Sequence, residues 1–280
     1  MIIGEVKRPR LAAPPGATDT HIHIFEARFP LAPTAVVTPP EAPVSAYLAL
    51  SETLGIERAV IVQPSGYATD NTCTLEAVQA MGERARGIAV VDESVTDVEL
   101  KRLDKAGIRG LRFHMLPGGV IGWDALAPLA ARIAPLGWHA QVQLDGRLLA
   151  DYRALLASLP CTLVIDHVGK FLEPVAPDHP AFGVLLDLVN AGRTYVKLSA
   201  PYEVSRVGLP GFGDIGALAK VLVEAAPERM LWASNWPHLG TPPERHGGEA
   251  LLLDLLLDWA PDEAVRHAIL VDNPAILYGF

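Results

Sequence analysis

Residues 19–25 read DTHIHIF and residues 164–170 read VIDHVGK. In both stretches a short β-branched run carries imidazole at or near its end. A loop and then a longer segment with apolar residues at helical spacing follow each of them. The same unit recurs along the chain. The spacing predicts strands at 19–24, 58–63, 87–91, 110–114, 139–144, 162–167, 195–199 and 230–235. Between them it predicts helices at 45–54, 71–81, 96–106, 123–134, 147–158, 181–190, 215–225 and 249–259, with a last helix at 262–270 before the NPAILYGF tail. Asp97 and Asp262 stand where helices should begin, and Gly107, Gly137 and Gly192 where they should end. Eight strand–helix units predict a single (β/α)8 TIM barrel over residues 1–280, with 1–16 as an extended N-terminal arm. A doubly wound open sheet is the alternative, but no GxGxxG follows the first strand.

Composition narrows the function. Half of the 280 residues are hydrophobic and 20% are charged, enough to close a large core. The formal charge of −9, with no run of Lys or Arg, argues against a nucleic-acid partner. No stretch is apolar for long enough to span a bilayer, and the first residues lack the apolar segment of a secretion signal, so no membrane partner is expected. The two cysteines, Cys73 and Cys161, fall in no metal or disulfide spacing, which predicts a cytoplasmic protein.

In a barrel the reactive groups stand at the C-terminal ends of the strands. Period-2 geometry puts His21 and His23 on one face of the first strand. His167 arrives at the end of the sixth, and Asp166 should point the other way and bond to backbone. The eighth strand delivers Asn235, followed by Trp236, Pro237 and His238. Arg112, Lys170 and Lys197 are the cations available to hold an anion, with Arg112 the best suited because a guanidinium grips a carboxylate in a fork. A structural ion pair is the competing role for each, and the favoured one for Lys197. His139 reads as structural; His179, His246 and His267 read as loop or helix-surface residues. Trp236 reads as packing or as an apolar wall of the site, and His238 equally as a substrate contact or a loop cap.

DTHIHIF, VQPSGYATDN (62–71), LRFHMLPGG (111–119), VIDHVGK, VKLSAPY (196–202), NWPH (235–238) and LVDNPAILYGF (270–280) together resemble the amidohydrolase-related lactonases of the amidohydrolase superfamily. That group includes 2-pyrone-4,6-dicarboxylate lactonases and D-galactarolactone isomerases. The resemblance runs from about residue 16 to the end and implies a barrel acting on a small lactone, in a branch where the chemistry can proceed without a bound divalent metal. It implies that His21, His23 and His167 polarise the lactone carbonyl. It also implies a position, here Asn235, at which the hydrolytic members carry a water-activating aspartate. An amide has no useful basicity near neutral pH. The expected reaction is ring opening by hydrolysis, with some other base. The alternative is an intramolecular lactone isomerase, in which a substrate hydroxyl attacks and Asn235 orients it or donates to the oxyanion. A non-catalytic binder is a further reading, and an aspartate deliberately changed to trap substrate would look identical.

Ser65, Arg112, His114, Gln143, Lys170, Tyr202 and His238 are the expected substrate contacts. Gln143, Lys170 and Glu203 stand where the resemblance places a tyrosine and arginines in the dicarboxylate lactonases, so a hydroxylated sugar-acid lactone fits better than a planar pyrone. No cofactor is expected. Were zinc present, His21, His23 and His167 would hold it, but the fourth strand offers no carboxylate or lysine ligand and the eighth only the neutral Asn235. The oligomeric state is not legible.

Overall fold

The structure, a computed structural model, describes residues 7–280. Among these residues eight parallel strands pair in chain order: β1 (Thr18–Ile22), β2 (Arg58–Val62), β3 (Ala85–Ala89), β4 (Ile108–His114), β5 (His139–Gln143), β6 (Leu163–Ile165), β7 (Thr194–Leu198) and β8 (Met230–Trp232). Backbone bonds from Asn235 N to His21 O (3.0 Å) and from His23 N to Trp236 O (2.9 Å) join the end of β8 to β1 and close the ring. The helices between the strands are α1 (Val44–Leu54), α2 (Thr72–Met81), α3 (Asp97–Lys105), α4 (Trp123–Ile133), α5 (Leu149–Ser158), α6 (Pro180–Asn190) and α7 (Gly213–Ala225). After β8 come α8 (Pro243–His246), α9 (Glu249–Asp254), α10 (Leu256–Trp259), α11 (Glu263–His267) and α12 (Asn273–Tyr278). This is the (β/α)8 barrel, and the open sheet is set aside.

Strand residues such as Ala59, Ile61, Ala89 and Leu111 pack outward with the helices in the main core. Those of opposite parity, Val60, Val62, Ile88, Val164 and Leu231, form a second apolar cluster around Tyr278 of α12. Truncating one such aliphatic side chain to alanine costs about 2–5 kcal/mol. The polar residues of the same parity, including Gln141, Lys197 and Arg112, are buried farther along their strands.

The element boundaries differ from expectation where the backbone turns sharply. β6 stops at Ile165 rather than at residue 167, because His167, Val168 and Lys170 have φ of 56°, 54° and 45°. β8 stops at Trp232 rather than at residue 235, with Asn235 at φ 61°. Left-handed backbone disfavours non-glycine residues, above all β-branched Val168, and it persists only where surrounding contacts enforce it. The segment 249–259 is two short helices, and 263–272 ends in a π-type turn. Asp262 caps α11 by accepting from Ala264 N and Val265 N, whereas Thr96 caps α3 and Asp97 lies in its first turn. Residues 1–6 of the expected arm lie outside the described residues; farther along it, Arg10 N and Leu11 N donate to Asp254 Oδ1 at 2.7 and 2.9 Å. No described helix is long and apolar enough to cross a membrane.

Candidate active site

Three imidazoles meet at the C-terminal end of the barrel. The rings of His21 and His23 lie 4.8 Å apart and those of His21 and His167 5.0 Å apart. All three are buried, and burial is the first cause holding each below the ordinary histidine range: His23 falls to about 3, and His21 and His167 fall well below 6.5. Positive neighbours add to this, Lys197 at His21 and Arg112 at His23. The imidazoles are therefore neutral near pH 7.

Neutrality fixes two tautomers. The Val62 carbonyl can only accept, so His23 Nδ1, 2.7 Å away, carries its hydrogen and Nε2 is left as an acceptor. His21 Nε2, 3.2 Å from that atom, then donates to it. His21 Nδ1 is left to accept, and it faces two donors, Lys197 Nζ at 3.3 Å and Gln141 Nε2 at 3.4 Å. Both ring hydrogens of the His21–His23 pair are thus committed to protein atoms. His167 differs: its Nδ1 lies 2.8 Å from Ser199 Oγ, and its Nε2 has no hydrogen-bond partner among the described residues.

Asp166 corrects the sequence reading. It does not point away from the imidazoles, because the left-handed turn after it breaks the alternation that set the two apart. Its Oδ1 lies 3.4 Å from His21 Nδ1 and 3.6 Å from Lys197 Nζ, and its Oδ2 accepts from Gln141 Nε2 rather than from backbone. Burial pushes Asp166 upward, but Lys197 first, with Arg112 and the Gln141 hydrogen bond, outweighs it and holds the carboxyl below its usual range. Lys197 is buried under the imidazoles, donating to Thr20 O and Gln141 Oε1 at 2.8 Å each, in the structural role favoured for it.

Asp166 also changes the donor set open to a metal. The atoms that cluster, within 4.8 Å of one another, belong to His21, Asp166 and His167 rather than to His21, His23 and His167. Three donors, one of them an Asp166 Oδ1 with no hydrogen bond, meet the distance requirement. Two of them already face the Lys197 ammonium, however. A divalent cation there would be pressed against a buried positive charge, so the set does not fit a divalent ion while Lys197 is protonated.

Asn235 stands at the end of a second network. Glu249 Oε1 accepts from His238 Nε2 (3.1 Å), which leaves His238 Nδ1 to accept from the Tyr202 hydroxyl (2.8 Å). The Tyr202 oxygen accepts one Nδ2 hydrogen of Asn235 and Glu203 Oε1 accepts the other, each at 2.9 Å. Because a carboxylate only accepts, Glu203 also fixes which way the amide faces. Both Asn235 hydrogens are therefore spent. The expected donation from Asn235 to an oxyanion is not available, and Oδ1 remains as an acceptor without a described partner.

The expected contacts fall into groups. Arg112 donates to Gln63 O (3.0 Å) and to Gln143 Oε1 (2.8 Å), both neutral oxygens. Ser65, Arg112 and His114 line a narrow pocket of about 10 Å³ together with residues 119–121. Gly119 is needed there, since a Cβ would fall 1.7 Å from the His114 carbonyl oxygen. Lys170 Nζ makes a close ion pair with Glu203 Oε2; burial, then Arg112, lowers this lysine to about 8. Tyr202 and His238 belong to the Asn235 network. His238 is buried and caps no loop, and Trp236 packs on Tyr47. His246 is corrected from surface to interior: it stacks on His238 at 3.9 Å. His139 is buried at the base of β5 against Tyr278, while His179 and His267 are exposed.

Sequence reasoning passed over Asp19, Ser234 and Glu249. Asp19 accepts from Ser234 N and Oγ and from Tyr47 Oη, tying β1 to the end of β8, and burial raises it to about 6. An acid opening an apolar strand was its one legible signal. Glu249 starts a helix eleven residues past His238 and carries none.

The amidohydrolase family profile matches residues 18–280. A D-galactarolactone isomerase of Agrobacterium fabrum is 36% identical over 96% of this chain and 93% of its own length. A 4-sulfomuconolactone hydrolase of Rhizobium radiobacter is 37% identical over 96% of this chain and 91% of its own. The crystal structure of an Agrobacterium tumefaciens protein in its apo form superposes with a TM-score of 0.91 at 36% identity, covering 97% of this chain and 98% of that one. With near-complete coverage in sequence and in structure, the chain belongs to the amidohydrolase family.

Proposed function

We propose that the chain, acting as one barrel domain, transfers the acyl group of a small carboxylated sugar-acid lactone to a hydroxyl of the same substrate, exchanging one lactone ring for another. The observation that carries this reading is Asn235. The amide stands at the end of β8 with both hydrogens committed and only Oδ1 free, so it orients a hydroxyl and cannot activate water. An internal hydroxyl needs less help than water, because its effective concentration at the carbonyl is already high. The 36% identical relative named as a lactone isomerase supports the same reading.

Within it, His167 presents Nε2 to the carbonyl oxygen, and His21 and His23 form the proton-ordered floor that holds the site rigid. Arg112 and Lys170 receive the substrate carboxylate, while Ser65, His114, Gln143, Tyr202 and His238 meet or brace its hydroxyls. No metal takes part, because the Lys197 ammonium stands among the donors. The two free, buried thiols suit a reducing cytoplasm.

Hydrolysis is the second reading, favoured by the relative named as a lactone hydrolase and by a carboxylate, Glu203, beside Asn235. Turnover of a panel of aldarate and aldonate lactones in oxygen-18 water separates the two. An isomeric lactone free of label supports transfer within the substrate; labelled open acid overturns it in favour of hydrolysis. Tight binding without turnover overturns both.

A further inference from the structure

The site as described holds a nucleophile in place but has no group at position 235 to take its proton. The carboxylates nearby differ in what they can reach. Asp166 is fully buried among Lys197, Gln141 and His21. Asp19 is fully buried behind β1 and saturated by Ser234 and Tyr47. Glu249 is turned to His238 and Asp145 to Arg147. Glu203 alone among these touches Asn235, and 22% of its side chain is open to solvent.

We propose that Glu203, resting on the second Nδ2 hydrogen of Asn235 and on Lys170, is the group that accepts the proton of the attacking hydroxyl. This assignment rests on the lactone reading above and supplies the base which that reading lacks. The hydroxyl, with its single hydrogen turned from Asn235 Oδ1 to the adjacent Glu203 carboxylate, forms its bond to the lactone carbonyl carbon as that hydrogen passes to Glu203. The tetrahedral intermediate then expels the ring oxygen, and Glu203 returns the same proton to it. Proton and electron pairs balance, and no water or oxidant enters. An incoming substrate carboxylate competes for Lys170 and leaves Glu203 less neutralised, which raises its basicity when the nucleophile is in place.

The pairing also explains why residue 235 is an amide in this chain. An aspartate there would set two carboxylates about 2.9 Å apart, and one would have to hold a proton. Asn235 is thus matched to Glu203, as expected of a natural residue rather than of a disabling substitution.

The test compares wild type with Glu203→Gln and Glu203→Asp on whichever lactone the wild type turns over, with circular dichroism to show that each variant is folded. The groups facing Glu203 are Lys170, from the turn after β6, and Tyr202, from the turn after β7; His238 and Glu249 lie behind Tyr202. Glu203→Gln should lose ~100-fold or more in kcat with KM within about 3-fold, and should lose the acidic limb of the kcat–pH profile. Glu203→Asp should recover part of both. A folded Glu203→Gln that keeps kcat within about 3-fold, or that loses activity through KM alone with the acidic limb intact, overturns the assignment and leaves the lactone reading standing. A wild type that turns over no lactone overturns both.

Discussion

Replacing Lys197 with methionine removes one buried charge and leaves its partner behind. Methionine has a similar reach but cannot donate, so Thr20 O and Gln141 Oε1 each lose a bond of 2.8 Å and Asp166 loses the ammonium 3.6 Å from Oδ1. Asp166 keeps one donor, Gln141 Nε2 at 3.1 Å, and remains fully buried. An uncompensated buried charge costs about 3–5 kcal/mol, which for a chain of this size lowers Tm by roughly 5–9 °C. The dependence on pH should change sign. In the wild type Asp166 is held below its usual range, so its contribution is present above the unfolded pKa and is lost as pH falls. Without the cation, burial raises the carboxyl; its contribution is then fully present below the unfolded pKa and is lost as pH rises through the folded value. Thermal melts followed by circular dichroism at pH 5, 6.5 and 8 should show the Lys197→Met deficit growing with pH. Asp166→Asn in the same chain should recover most of it. A deficit under about 1 kcal/mol at pH 8, or one that is equal at every pH, refutes the role given to this ion pair.

Three further outcomes follow from the same geometry. Exhaustive chelation should leave kcat/KM unchanged; activity lost to a chelator and restored by zinc would show that a metal binds His21, Asp166 and His167 in spite of Lys197. Burial holds His23 and His139 at about 3, so each stabilises the fold above pH 6.5, and that contribution is lost as pH falls toward 3. Denaturant titrations should lose about 3 kcal/mol between pH 6.5 and 5 from the two together, and a flat profile over that window would refute the neutral-imidazole assignment. Arg112→Lys should raise KM for a carboxylated lactone about 10-fold or more while changing KM for an uncharged one far less; equal effects on both would make Arg112 purely structural.

Much of the barrel was legible because burial imposes a period on the chain. Alternation at β1 put His21 and His23 on one face, and they meet at 3.2 Å. Local periodicity does not report backbone left-handedness at non-glycine residues, so β6 and β8 were read too long and Asp166 was aimed the wrong way. His246 was misread because a four-residue helix leaves no periodic trace, and its burial comes from His238 and Tyr202.

What the amino-acid order determined by itself is the kind of surface each element must bury, and hence eight repeated units with polar groups clustered late in their strands. What only the folded chain decided is which of those groups meet and where each hydrogen resides. Lys197 reaches His21 across 176 positions of sequence, and Asn235 lies between Glu203 and Tyr202 from the turn after β7. The direction of a hydrogen bond depends on what the partner can give or accept, and those partners are brought together only when the ring closes.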